Sequence, residues 1–332
     1  MTIRGLLMGV CSLGAVGTTL WAQKAAPPSP AALLDQFRFE SKLWPNLHHF
    51  LYVLARSRTG AADRMRVAVR EAPQDTAGFD KLPVAERQAW DEAIAAYQIH
   101  AAPLDISYGK LVDVNYAVAD LGGGAPVTAA HDIPVEIRGA LEKAGPVYGA
   151  LWWPRHDAAN QAWVKQLRPQ VERYGPRIVE QLTSAFQHSW PSGPLRVEVV
   201  AYAQWAGAYT TDDPPLITMS SLNEEHRGSD GLEQLFHECS HLMMETVDAS
   251  LKTHARALGK EFSRAVSHTI LFYTVGEVLR RTVPGHVPYA IHYGVWQRGW
   301  TKHLEVLKLY WQPYLDGTAT MDQAIDGIAR AL

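Results

Sequence analysis

The stretch GLEQLFHECSHLMMETV, residues 231–247, most restricts how this chain can fold. It carries Leu, Phe, Cys and Met at helical spacing, yet it sets His237, Glu238 and His241 among them. A helix this apolar has to be buried. Three buried polar side chains then need partners, because an unsatisfied buried polar group is costly. The fold must therefore bring something to these residues.

Histidines at i and i+4 lie one turn apart on one helix face, so two imidazoles can reach one metal ion from a single rigid element. Glu238 sits roughly 100° round the helix from His237. It cannot easily share the ligand role but can reach a water on the ion. HExxH on a helix is a zinc-protease signature for this reason. The metal lowers the pKa of its water to about 7, and the glutamate takes the proton as the water attacks a carbonyl. At this chain's His and Glu frequencies, a chance HExxH is expected in about 3% of such sequences. The flanking Leu235, Phe236, Leu242 and Met243 tighten that, as does a capping-box arrangement of Asp230 and Glu233.

A catalytic site with two histidines needs a third protein ligand and one open position. The extended metzincin form would place a histidine at position 247, where this chain has Val247. Glu245 lies about 12 Å along the axis from His237, too far to converge, and Asp248 reads as a loop residue. Two glutamates remain on the following helical segment. Glu261 has Lys260, Ser263 and Arg264 as neighbours, so water and a local arginine can satisfy it. Glu277 lies in HTILFYTVGEVLRR on a face holding Phe262, Val266, Ile270 and Tyr273. A carboxylate there is expensive unless paired or metal-bound. Glu277 is therefore preferred, with Glu261 as the alternative and a salt bridge to Arg280 or Arg281 as its structural explanation.

These residues resemble the gluzincin branch of the zincin metallopeptidases over roughly residues 195–281. The resemblance implies one Zn2+, with His237 and His241 as ligands, Glu238 as catalytic base and a glutamate from the next helix completing the set. Thermolysin-like enzymes place that glutamate at the spacing of Glu261; the longer spacing to Glu277 departs from their pattern. It also implies a strand beside the active-site helix along which an extended peptide binds. Trp205-Ala206-Gly207-Ala208 or Leu216–Ser220 are the candidates, each equally readable as internal sheet. A developing oxyanion needs a donor, and Tyr289, His292 and Tyr293 in VPYAIHYGVW follow the Glu277 segment closely enough to return over the site. They also read as packing with Trp296 and Trp300. His268 is read as a second-shell donor or a satisfied core histidine. Cys239 packs as a small apolar residue.

The rest of the chain is plainer. His48-His49 has no carboxylate at ligand spacing, and Trp152-Trp153 reads as packing. Residues 31–187 are mostly helical in pattern, with helices over 43–56, 84–100, 157–173 (capped by Asp157) and 176–187. The character changes at Pro191-Ser192-Gly193-Pro194. Strands are expected over 195–202, 204–211 and 216–220, then helix from 251 to 281 with a break at Gly259. The expected fold is α+β and predominantly helical. It combines a helical region, 31–190, with a zincin-like catalytic region, 191–332, built on a helix pair and a small antiparallel or mixed sheet.

Residues 1–22 read as a secretory signal peptide. Arg4 supplies the positive start, an apolar run of about 16 residues is short of a membrane span, and residues 23–30 form a linker. The expected location is secreted or periplasmic, with no stable membrane anchor after cleavage. Cys11 leaves with the signal, so the mature chain has Cys239 alone and no internal disulfide. With 31 Lys plus Arg against 34 Asp plus Glu, no basic surplus suits nucleic acid. The sequence points to an exported zinc metallopeptidase acting on peptides or proteins. The alternative is a non-catalytic, zinc-stabilised exported helical protein, and a third reading is hydrolysis of a non-peptide amide.

Overall fold

The computed structural model describes residues 29–58, 79–122, 124–204 and 206–332. The signal peptide and most of the linker lie outside the described residues. The described residues are α+β and 68% helical, with one mixed four-stranded sheet. No helix among the described residues is long and apolar enough to cross a membrane.

Helix α1 (Pro30–Gln36), capped by the Ser29 hydroxyl, leads into strand β1 (Phe37–Glu40). The sequence reading assigned no strand here. Phe37 alone is fully buried, and four residues without clear alternation carry little strand signal. Helices α2 (Leu43–Arg58), α3 (Val84–His100), α4 (Lys110–Ala119) and α5 (Val135–Leu151) follow. They pack around Phe50, Trp90, Tyr97, Tyr148 and Trp152, so the Trp152 motif is core. Helix α6 (Trp153–Phe186) is one long element where two were expected. Pro176 removes one internal hydrogen bond, but Val171, Ile178, Val179 and Leu182 stay buried along one face and hold the helix continuous. It begins at Trp153, so Asp157 is not its cap.

Strands β2 (Leu195–Val200), β3 (Ala208–Asp212) and β4 (Pro215–Ser220) complete the sheet in the order β1-β2-β4-β3. β1–β2 and β2–β4 are parallel; β3 runs antiparallel to β4 and forms an edge. Leu216–Ser220 is therefore internal, Ala208–Asp212 is one of two sheet edges with β1 the other, and Trp205 of the other candidate stretch lies outside the described residues. The sheet lies between two cores. Val197, Val199, Ala208 and Ile217 join the core of α6 and the C-terminal helices, while Tyr209 joins the helical core of α2–α5.

Next come helices α7 (Gly228–Ser240), α8 (Glu245–Ala257), α9 (Arg264–Thr282) and the short α10 (Tyr289–His292). Gly259, at φ +66°, makes the expected break between α8 and α9. Asp230 and Glu233 do not cap α7, whose N-cap position is Arg227. Glu233 accepts instead from His286 Nε2 at 2.6 Å and from the Tyr289 amide at 2.8 Å, and Asp230 accepts from the Tyr293 hydroxyl. The two carboxylates thus clip residues 286–293 onto the start of α7.

Candidate metal centre

Every residue of α7 from Asp230 to Ser240 is buried, so its polar side chains must find partners inside the protein. Helix α7 ends within the motif. His241 opens a 3-10 turn but keeps helical dihedrals (φ −54°, ψ −34°), so it still faces the same way as His237. Helix α9, capped by the Ser263 hydroxyl, crosses this face with its first turns and brings in His268.

His237, His241 and His268 form a group that could hold a metal ion, each offering one ligand atom within 4.8 Å of the others. Their ring centroids stand 5.1, 5.2 and 5.3 Å apart, close to an equilateral triangle. The Nε2 atoms of His237 and His268 are 3.2 Å apart. Two nitrogens bound at about 2.0–2.1 Å to one tetrahedral ion would sit about 3.3 Å apart, so the spacing fits a shared cation. Burial, reinforced by the neighbouring imidazoles, holds His237 well below the usual histidine range. Burial, with His268 beside it, puts His241 at about 3, and burial puts His268 at about 4. All three rings are therefore neutral near pH 7, with lone pairs free for a cation. Nδ1 of His237 has no partner among the described residues; its ring packs instead on Phe272, at a centroid distance of 4.1 Å.

Glu238 lies between this group and the sheet edge. The Thr210 hydroxyl of β3 lies 2.8 Å from its Oε2 and 3.0 Å from its carbonyl oxygen. Burial lifts the Glu238 carboxyl to about 8, opposed by the Thr210 hydrogen bond. A divalent cation between the imidazoles would draw it back down. Its Oε2 is 3.9 Å from Nε2 of His241, so the carboxyl stands beside the three-nitrogen group.

The structure places none of the carboxylates of the sequence reading beside His237 and His241 in the way it places His268. Glu277 makes two hydrogen bonds to Arg280, at 2.9 and 2.7 Å, with Arg281 at 3.9 Å. It lies nine residues beyond His268 on one helix, about 13 Å along the axis, and cannot reach the same point. Glu261 is exposed in the connection before α9 and is not helical. Glu245 is exposed at the start of α8, and Asp248, within that helix, accepts from the Ser267 hydroxyl at 2.5 Å. Of the aromatic residues, Tyr289 lines the cleft, its hydroxyl donating to Glu225 at 2.5 Å. Tyr293 and His292 instead turn to Asp230, at 2.9 and 3.0 Å. Cys239 is buried and free.

The group opens onto a cleft of about 2340 Å³ between the helical core and the C-terminal helices, bordered by β3. That is well beyond the size of a site for one small ligand, and room for an extended chain. His48 and His49 lie outside it as buried neutral residues. His48 Nδ1 is 2.8 Å from the Tyr97 hydroxyl and His49 Nε2 2.7 Å from the Tyr209 hydroxyl, which ties α2 to the edge strand.

The sequence reading passed over two residues. Thr210 had only its place in a strand to mark it. Gln234 had a clearer signal: positions 234, 237, 238 and 241 follow the i, i+3, i+4, i+7 spacing of one helix face. Comparison with protein families, with curated proteins and with solved structures finds no match to this chain.

Proposed function

We propose that this chain is a zinc-dependent metallopeptidase. The observation that carries the reading is the convergence of three neutral imidazoles from two helices beside a buried carboxyl, at the wall of a long cleft. Zinc, when bound, would supply Lewis acidity and make a water acidic enough to lose a proton near pH 7. His237, His241 and His268 would hold the ion; three protein ligands are the number a catalytic rather than a closed structural site uses. Glu238 takes the proton from the attacking water and hands it to the leaving amine. Thr210 keeps that carboxyl aimed along the cleft. The free edge of β3 offers main-chain donors and acceptors to an extended peptide. The Tyr289 hydroxyl lines the cleft with its one hydrogen held by Glu225, so it could donate to a developing oxyanion only on leaving that carboxylate. His268 in place of a glutamate sets the ligands apart from the gluzincin pattern. Export belongs to this proposal as well, on the strength of residues 1–22.

The test is the zinc-loaded protein against its Glu238→Gln variant on a casein digest followed by mass spectrometry. The variant should retain stoichiometric zinc and lose at least about 100-fold in turnover. Zinc binding without hydrolysis by the unaltered chain would favour the zinc-stabilised, non-catalytic alternative.

A further inference from the structure

One side-chain nitrogen at the cleft has no partner among the described residues. Gln234 is 4% exposed, lines the cleft, and its Nε2 meets no hydrogen-bond acceptor among the described residues. Its neighbours in the stripe, His237, Glu238 and His241, are the residues of the metal centre. Side chains three and four apart on a helix have Cβ atoms about 5–6 Å apart. Gln234 therefore stands one turn from both His237 and Glu238. An unpaired buried amide nitrogen destabilises a fold, and no described residue offsets it here. A primary carboxamide also has a peptide bond's own hydrogen-bonding character, with donor N–H groups beside an acceptor carbonyl.

We propose that Gln234 is a substrate-binding residue whose Nε2 donates to a main-chain carbonyl oxygen of the bound peptide, next to the scissile bond. The assignment rests on the peptidase reading. It gives the site a preference for an extended polypeptide over a lone amide, because it reads main chain at a second point beyond the ion. The ligand class is a peptide of at least two residues, recognised without regard to the side chain at that position.

The experiment uses zinc-loaded full chain and two probes: acetohydroxamate, which offers the ion a chelating group alone, and a dipeptide hydroxamate, which adds main-chain carbonyls. Their affinities are measured by calorimetry for the unaltered chain and for Gln234→Met, a near-isosteric change that removes the donor. The dipeptide hydroxamate should weaken about fivefold to tenfold and acetohydroxamate should not change. The Tm of Gln234→Met should be unchanged or raised, since an unpaired polar group is removed. Equal effects on both probes, no effect on either, or a Tm lowered by several degrees would overturn the assignment. A second probe pair needs no variant: replacing the added carbonyl of the dipeptide hydroxamate by methylene should cost the unaltered chain the same factor. Hydrolysis of a casein digest, followed in parallel, reports on the peptidase reading by itself. Its absence alongside an intact Gln234 effect would overturn that reading and support the subsite.

Discussion

Replacing His268 by alanine should abolish tight metal binding, and replacing Glu277 by glutamine should leave it intact. Structural zinc sites with four protein ligands bind with about 10–16 kcal/mol, so each ligand carries about 3 kcal/mol. Losing one of the three imidazoles should therefore cost at least about 100-fold in affinity. Glu277 is bound to Arg280, whose side chain is 49% exposed. Glu277 itself is 11% exposed, so the change leaves a buried position without its ion pair and costs some stability, but it should leave the metal untouched because the side chain stands about 13 Å along the helix from His268. The assay is a zinc titration of metal-depleted His268→Ala, Glu277→Gln and Glu261→Gln proteins against a chromophoric chelator, with circular dichroism to verify folding. Only His268→Ala should lose the competition. A folded Glu277→Gln protein that loses zinc while His268→Ala keeps it would refute the three-imidazole centre.

Thr210→Val removes the hydroxyl beside Glu238 while keeping its shape, so steady-state kinetics on a peptide substrate should show kcat reduced about tenfold with zinc content and KM unchanged; a rise in KM alone would mean that Thr210 binds substrate instead. Glu198 is buried in β2, its nearest cations Lys42 and Arg196 standing 3.6 and 3.7 Å away, and burial raises its carboxyl to about 8. A carboxyl raised in the folded state contributes stability that is fully present below its unfolded pKa, about 4.5, and is lost as pH climbs through about 8. Glu198→Gln should therefore gain on the unaltered chain by up to about 1.4 kcal/mol per pH unit across that window, and a urea-midpoint difference independent of pH would contradict it.

Much of the architecture was legible because it follows from periodicity. The positions of β2, β4 and α9 lie close to those expected, and the switch from helix to strand falls where Pro191-Ser192-Gly193-Pro194 marks it. What escaped was set by tertiary packing. β1 is four residues long and exists because β2 offers it an edge. Helix α6 runs through Pro176 because its buried face outweighs one lost hydrogen bond. Asp230 and Glu233 have the spacing of a cap but were claimed by Tyr293 and by His286 and Tyr289 from 50 or more residues away. A short-range rule has no access to such partners.

The site shows the same division more sharply. His237, Glu238 and His241 come from one helix, so their relation is fixed by helical geometry and is readable in the sequence. The third position depends on where α9 crosses α7, which no local pattern encodes. The cost of burying a carboxylate correctly implied that Glu277 has a partner, but it does not distinguish a cation of the protein from a metal ion. Arg280, three residues on, supplies that partner within the same helix and needs no long-range geometry. A buried imidazole is less diagnostic still: neutral, it is tolerated in a core as His48 and His49 are, and so His268 gave little sign of its place. The discriminating quantity was distance along the helix. From the turn of α9 that meets α7, His268 is in reach, and a residue nine positions on is about 13 Å away. Two candidate ligands that far apart on one straight helix exclude each other, so fixing the crossing point of the two helices decides between them without reference to the chemistry of either side chain.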